Sequence, residues 1–256
     1  MELSVIIPAY NEEKRIGRTL EAILGYLDKQ KYQYEIIVVN DGSSDKTKEV
    51  VQKFKDKNKK IKMLDNPGNK GKGYSVQQGF LAAEKEWVLF TDADLSTPIE
   101  ELETFFRYAS GTDVIIGSRN LPMSQIVVKQ PFFRSMLGKI FPFFVRVVLL
   151  PDIKDSQCGF KLFRKEVAQK VAQKQMITGF CFDVEILFLA KKFGFGIQEI
   201  PITWSNDERS KIRIISDSFA MFFDLLKIQL DKNYLSVPST IEKHVCFEQE
   251  LLDQFQ

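Results

Sequence analysis

Asp92 and Asp94 stand two residues apart at the end of the apolar run Trp87-Val88-Leu89-Phe90-Thr91. Residues i and i+2 of an extended strand share a face. The spacing therefore predicts two carboxylates converging at the carboxyl end of a strand. Ligands of open α/β sheets bind in that crevice. Two hard oxygen ligands with few others suit Mg2+ or Mn2+ shared with a diphosphate. Aspartates after a strand also serve as turn residues or helix caps, and the spacing alone leaves both readings open.

Composition narrows the chemistry. The 256 residues include one histidine, His244, and three cysteines, Cys158, Cys181 and Cys246. A lone histidine near the C-terminal end argues against a histidine-based triad or a His-rich metal site. The cysteines lack CxxC spacing, which points to a reducing compartment without a zinc site or disulfide framework. Cys158 and Cys181 read as small packing residues. A net charge of +2 argues against nucleic acid as a partner. The chain enters a strand at once, so no signal peptide is expected. No apolar run reaches the roughly 20 residues that span a bilayer.

The elements that must position Asp92 and Asp94 alternate in type. Leu3–Pro8, Glu35–Val39, Ile61–Leu64, the run before Asp92, and Asp113–Gly117 read as strands. Ile16, Leu20, Ile23, Leu24 and Leu27 fall at helical spacing. A second helix, capped by Asp45, is predicted to turn Val50, Val51 and Phe54 inward. A third runs through Val76, Phe80 and Leu81. Thr97-Pro98-Ile99-Glu100 has the form of a capping box with proline at the first helical position. This order predicts an α/β fold: a mostly parallel sheet with right-handed crossovers and flanking helices.

Four stretches open on the same predicted sheet edge: SVIIPAYNEE (4–13), VVNDGSSD (38–45), NPGNKGKG (66–73) and the Asp92-Ala93-Asp94 step. In this order they resemble the nucleotide-binding half of family 2 glycosyltransferases with the Rossmann-like GT-A fold. Further stretches are Gly117–Asn120, DSQCGFKLF (155–163), Cys181–Glu185 and Ser210-Lys211. These resemble polyprenyl-phosphate sugar synthases, closest to the dolichyl-phosphate glucosyltransferase branch.

The resemblance implies transfer of a hexose, glucose from UDP-glucose foremost, onto a polyprenyl or dolichyl phosphate with inversion. GDP-mannose, another nucleotide sugar or another acceptor would need only local pocket changes. Pro8, Ala9, Tyr10, Glu12, Asp41, Lys72 and Asp92 are the expected nucleotide contacts. Gly71 and Gly73 would allow close backbone approach to phosphate. Asp92 and Asp94 are expected to hold the metal, Asp94 most directly. Related synthases carry glutamine two residues later, where this chain has Ser96. A phosphate monoester acceptor is largely anionic at neutral pH, with a second pKa of about 6. It needs cations more than a base, and Arg119, Arg134 and Lys211 are the candidates. Asp183 falls where sugar-acceptor members of the superfamily place a catalytic base; it could equally cap a helix over 184–192.

Two apolar segments carry interleaved basic residues, 129–150 and 212–230. From periodicity alone they suit ordinary core or a homodimer interface. A lipid acceptor makes them suit a membrane surface. The expected organisation is a catalytic domain over 1–211, an amphipathic interfacial helix over 212–232 and a polar tail over 233–256. The expected location is the cytoplasm, peripheral on the cytoplasmic face of a membrane, docked directly or through a membrane-anchoring partner. Two other classes compete. The Asp92–Thr97 stretch also resembles the nucleophile loop of haloacid-dehalogenase-type phosphatases. An inactive glycosyltransferase-like subunit is the non-enzymatic reading.

Overall fold

Long buried aliphatic runs build the centre of a sheet. The computed structural model describes residues 1–128, 141–205, 214–231 and 234. Strands β1 (Glu2–Ala9) and β2 (Gln33–Asn40) bury seven consecutive residues each, the pattern of strands covered on both faces. With β3 (Ile61–Asp65) and β4 (Trp87–Thr91) they form a parallel set. The seven-stranded sheet has the order β3-β2-β1-β4-β7-β5-β8. Strands β5 (Val114–Ser118) and β8 (Ile197–Pro201) are parallel to each other. β7 (Phe160–Arg164) is inserted antiparallel between β4 and β5. A small second sheet pairs β6 (Gln125–Val128) with β9 (Thr203–Ser205).

Helices cover both faces. On one face lie α1 (Ile16–Leu27), α2 (Thr47–Lys57) and α4 (Glu101–Tyr108), whose Ile16, Leu20, Val51, Leu102 and Phe105 share a core with Val5, Ile7 and Leu89. On the other lie α3 (Lys72–Ala82), the helical residues 141–148 (α5), α6 (Lys165–Lys174), α7 (Phe182–Lys192) and α8 (Ile214–Leu230). The second core joins Ile6, Val39 and Phe90 to Phe80, Val167, Phe182 and Ile186. It also takes in Leu225 and Ile228 of α8 and Tyr234 beyond it. The segment expected as a separate interfacial helix thus shares a core with the sheet. The tail from 235 onward, with His244 and Cys246, lies outside the described residues.

Some expectations needed correction. β4 ends at Thr91, so Asp92 and Asp94 sit on a turn rather than on a strand. That turn is closed by Leu95 N–H donating to Asp92 O at 3.2 Å, with Leu95 at φ 48°. The capping box at Thr97 does not form, and α4 begins at Glu101 without a side-chain cap. Residues 98–103 instead make a tighter turn, with Glu101 and Leu102 amides donating to Pro98 and Ile99 carbonyls. Helix α3 turns Gly79 to the sheet, where an added Cβ would stand 2.2 Å from Ile6 Cγ2, while Leu81 is 42% exposed. Asp45 does brace the start of α2, its Oδ1 accepting from Thr47 N–H at 2.9 Å.

Candidate active site

The loops after β1, β2, β3 and β4 open on one edge and are tied to each other. Asn11 takes a left-handed conformation, φ 54°, which its short polar side chain tolerates. Its Oδ1 accepts from the amides of Ser44 and Asp45. Glu12 N–H donates to Thr47 Oγ1 at 2.6 Å. Pro8 and Ala9 are buried at the end of β1, and Tyr10 beside them is 39% exposed.

Asp41 braces the next loop. Its Oδ1 accepts from Asn66 Nδ2 and Lys70 N–H, and its Oδ2 from Gly71 N–H, at 2.8–2.9 Å. Gly71 has φ 103°, and an added Cβ would meet Thr178 O at 2.3 Å. The glycines expected to admit phosphate thus also admit the 176–180 loop. Thr178 O accepts from the amides of Gly73 and Tyr74 in the first turn of α3. Glu185, fully buried on α7, holds that loop through the amides of Met176 and Ile177 and accepts from Tyr234 Oη.

Lys72, the first residue of α3, points at the turn after β4. Its Nζ is 2.7 Å from Asp92 Oδ1. Burial works against its charge, but the fields of Asp92 and Asp183 outweigh it and raise the ammonium to about 12. On the other side of the turn Asp94 Oδ2 lies 3.8 Å from Arg15, and Glu12 holds that guanidinium through two bonds of 2.6 and 2.7 Å. Glu12, expected to wall a nucleotide pocket, is thereby joined to Asp94. Ser96 N–H donates to Asp94 Oδ1 at 3.0 Å. Burial, and then the neighbouring charge of Asp92, push the Asp94 carboxyl up. A carboxylate whose ionisation is opposed by its neighbour's charge suits a cation placed between the pair and an anionic ligand. Among the described residues no cluster of three or more acidic, cysteine or histidine ligands occurs. A metal held by these two residues would need the rest of its shell from ligand and water.

Arg119 follows β5. Its Nε and Nη2 donate to Asp155 at 2.7 and 2.8 Å, its own amide donates to the same carboxylate at 2.9 Å, and its guanidinium lies 5.4 Å from the Trp204 ring. Asp155 is buried, and Arg119 overcomes that burial to hold its carboxyl below the usual range. The Arg119 side chain keeps 26% exposure, and Asp92 helps to hold it charged.

Asp183 is the second residue of α7 rather than the cap of a later helix, and Cys181 before it makes no side-chain cap either. Asp183 is 4% exposed, and its carboxylate is ion-paired with the fully buried Lys161 of β7. Burial pushes this carboxyl up, against the pull of Lys161 and Lys72. Cys158 and Cys181 are buried, and burial pushes the Cys158 thiol up to about 12, so both are packing residues. Arg134 and Lys211 lie outside the described residues.

The turn thus gathers Lys72, Asp92 and Asp94 of the expected site, with Arg119 after β5 within the field of Asp92 and Asp183 buried behind. Sequence reasoning missed Gly159 and Lys161 as site residues. Gly159 lies against Asp92, and an added Cβ would fall 1.9 Å from Asp92 Oδ2. The signal was a glycine inside an otherwise strand-like motif.

Comparison with known proteins agrees with this architecture. The family model "Glycosyl transferase family 2" matches residues 4–172. A dolichyl-phosphate beta-glucosyltransferase of Trichomonas vaginalis is 36% identical over 237 residues, covering 88% of this chain and 72% of the relative. That of Homo sapiens is 33% identical over 243 residues, covering 90% and 75%. Among solved structures, Mycobacterium tuberculosis glucosyl-3-phosphoglycerate synthase with Mn2+, UDP and glucosyl-3-phosphoglycerate superposes with a TM-score of 0.63 at 17% identity, covering 89% and 80%. Mannosyl-3-phosphoglycerate synthase from Rubrobacter xylanophilus gives 0.64 at 15% identity, covering 89% and 72%. These matches leave no place for the phosphatase reading: the chain belongs to glycosyl transferase family 2, with its GT-A-type fold.

Proposed function

We propose that this enzyme transfers glucose from UDP-glucose to dolichyl phosphate or a similar polyprenyl phosphate. The observation that carries the reading is the gathering of Asp92, Asp94, Lys72 and Arg119 at one sheet edge, in a chain 33% identical over most of its length to a relative named for that reaction. An acceptor phosphate oxygen forms a bond to the anomeric carbon as the bond from that carbon to the diphosphate breaks. A single displacement inverts the centre, in keeping with the β linkage in the relatives' name. Positive charge develops on the sugar ring. Asp94 and Asp92 would hold Mg2+ or Mn2+, which when bound supplies positive charge to the departing diphosphate.

The protein's own cations do the rest. Lys72 stays protonated and keeps donors beyond the one aimed at Asp92. Arg119 is fixed by Asp155 with one edge left for the acceptor phosphate, which needs no general base. Arg134 and Lys211 remain acceptor candidates by resemblance. Pro8, Ala9, Tyr10 and Asp41 line the loop cluster proposed to receive the nucleotide. The test is a transfer assay in detergent with short polyprenyl phosphate and labelled UDP-glucose, GDP-mannose and UDP-N-acetylglucosamine side by side. Lipid label is expected from UDP-glucose. Label from another donor would overturn the sugar; none from any donor, with nucleotide binding intact, would favour a different acceptor first and the inactive-subunit reading second.

A peripheral site on the cytoplasmic face of a membrane completes the proposal. Phe143 and Val147 of α5 and Phe223 and Leu230 of α8 are 61–71% exposed, and the Phe144 and Phe222 rings, 5.5 Å apart, join the two helices. Exposed contiguous apolar surface marks a contact with lipid or protein. No described helix is long and apolar enough to cross a membrane. Replacing Phe223 and Leu230 by serine should weaken flotation with anionic vesicles about tenfold, by lost apolar burial, with Tm unchanged. Unchanged flotation with loss of a dimer would assign this face to a homodimer, and loss of neither would leave it to a membrane-anchoring partner.

A further inference from the structure

We infer that Lys161 is a positioning residue for Asp92, holding from one buried ammonium both of the groups that fix that carboxylate. The inference rests on the proposed transfer reaction only for its kinetic readout. Lys161 stands directly opposite Phe90 in the antiparallel β4–β7 register, two residues before Asp92. It is fully buried, in a strand position that otherwise takes core side chains such as Phe163. A charge is retained there only against strong partners.

Two arms run from its Nζ. The first is a bond to Cys158 O at 2.5 Å. Cys158 precedes Gly159, whose carbonyl accepts from Asp92 N–H at 3.2 Å and whose Cα leaves no room for a Cβ against the Asp92 carboxylate. The second is the ion pair with Asp183. Asp183 acts on Lys72 through its charge, and Lys72 in turn binds Asp92 Oδ1. Both ammoniums also lie over the Phe90 ring, at 5.4 Å for Lys72 and 5.5 Å for Lys161. Asp92 is thus gripped at its amide, along one carboxylate edge and at Oδ1, and each grip leads back to Lys161. Buried groups that orient a ligand-bearing carboxylate set its affinity without touching the ligand.

The test uses the full chain and Lys161→Met, which keeps most of the stem and removes the ammonium. Calorimetry with UDP, with and without Mn2+, reads Asp92 independently of turnover. The gain in UDP affinity brought by Mn2+ should shrink about tenfold, with metal-free UDP binding unchanged. Turnover should fall on the order of 100-fold, while KM for polyprenyl phosphate holds.

The double variant Lys161→Met/Asp183→Asn removes the unpaired carboxylate that threatens folding, and it should regain Tm but stay slow. Gly159→Ala, which presses on Asp92 from the other arm, should reproduce the same loss of the Mn2+-dependent gain. Full recovery of turnover and of that gain in the double variant would reduce Lys161 to a counter-ion and overturn the inference. A normal Mn2+-dependent gain in Lys161→Met would do the same. Absence of transfer by the wild type, with the calorimetric differences intact, would instead remove the proposed reaction and leave the positioning role standing.

Discussion

Two buried carboxylate–cation pairs flank the turn that carries Asp92, and they behave differently. At the end of β5, Asp155 takes two bonds from the Arg119 fork and one from the Arg119 amide, and its carboxyl is held low. Between β7 and α7, Asp183 faces the point charge of Lys161 with a fully buried partner, and its carboxyl is pushed up. A planar fork returns more to a buried carboxylate than a single ammonium does. The arginine of the first pair also stays partly exposed, whereas the lysine of the second is fully buried. On the proposed reading, one pair holds the residue offered to the acceptor phosphate and the other holds the floor beneath Asp92.

Breaking the arginine pair should have the largest effect. Arg119→Ala removes a cation from the cleft and should lower turnover by about 100- to 1,000-fold. It also strands Asp155 in the interior, at a stability cost on the order of 3 kcal/mol. Arg119→Lys should rescue stability only in part, because an ammonium cannot reproduce the fork. Steady-state kinetics and chemical denaturation separate the two effects. Full activity in Arg119→Lys would erase the distinction between the pairs.

The pH dependence of stability sharpens the contrast at smaller magnitude. The Asp155 carboxyl is depressed in the folded state, so its contribution is present above the unfolded value of about 3.9 and is lost as pH falls through the folded one. The Asp183 carboxyl is raised, so its contribution is full below about 3.9 and is lost as pH rises through the folded value. Denaturation of Asp155→Asn from pH 3 to 8 should therefore show its deficit narrowing toward acid. The deficit of Asp183→Asn should narrow toward neutral pH. Parallel curves would show that the two pairs are equivalent.

Much of this architecture is legible in the amino-acid order because each of the first five strands is a local apolar run. The inserted strand β7 is not. Its Phe-Lys-Leu-Phe-Arg alternates a buried lysine with apolar residues, and only pairing across 22 positions to Asp183 explains why the lysine is there. The site divides the same way. Asp92, Asp94 and Arg119 are visible as charged residues just after strands, and Lys72 as a cation in the glycine-rich stretch that opens α3. The partner of Arg119 and the support of Asp92 come from remote elements, and Asp41 shows its role as a loop brace only once the 66–73 loop closes on it. The turn after Thr91 also defeats the strand-alternation argument for Asp92 and Asp94, because β4 ends at Thr91 and the chain turns from Asp92 to Leu95.

The most direct test of the central claim is label transfer from UDP-glucose to polyprenyl phosphate by the wild type and Asp94→Asn, each with Mn2+ and with excess chelator. The account predicts lipid label from the wild type alone, lost with chelator, and no turnover by Asp94→Asn at a Tm within a few degrees of wild type. Label from Asp94→Asn, or from the wild type in excess chelator, would contradict the assignment of the Asp92–Asp94 turn as the centre of transfer.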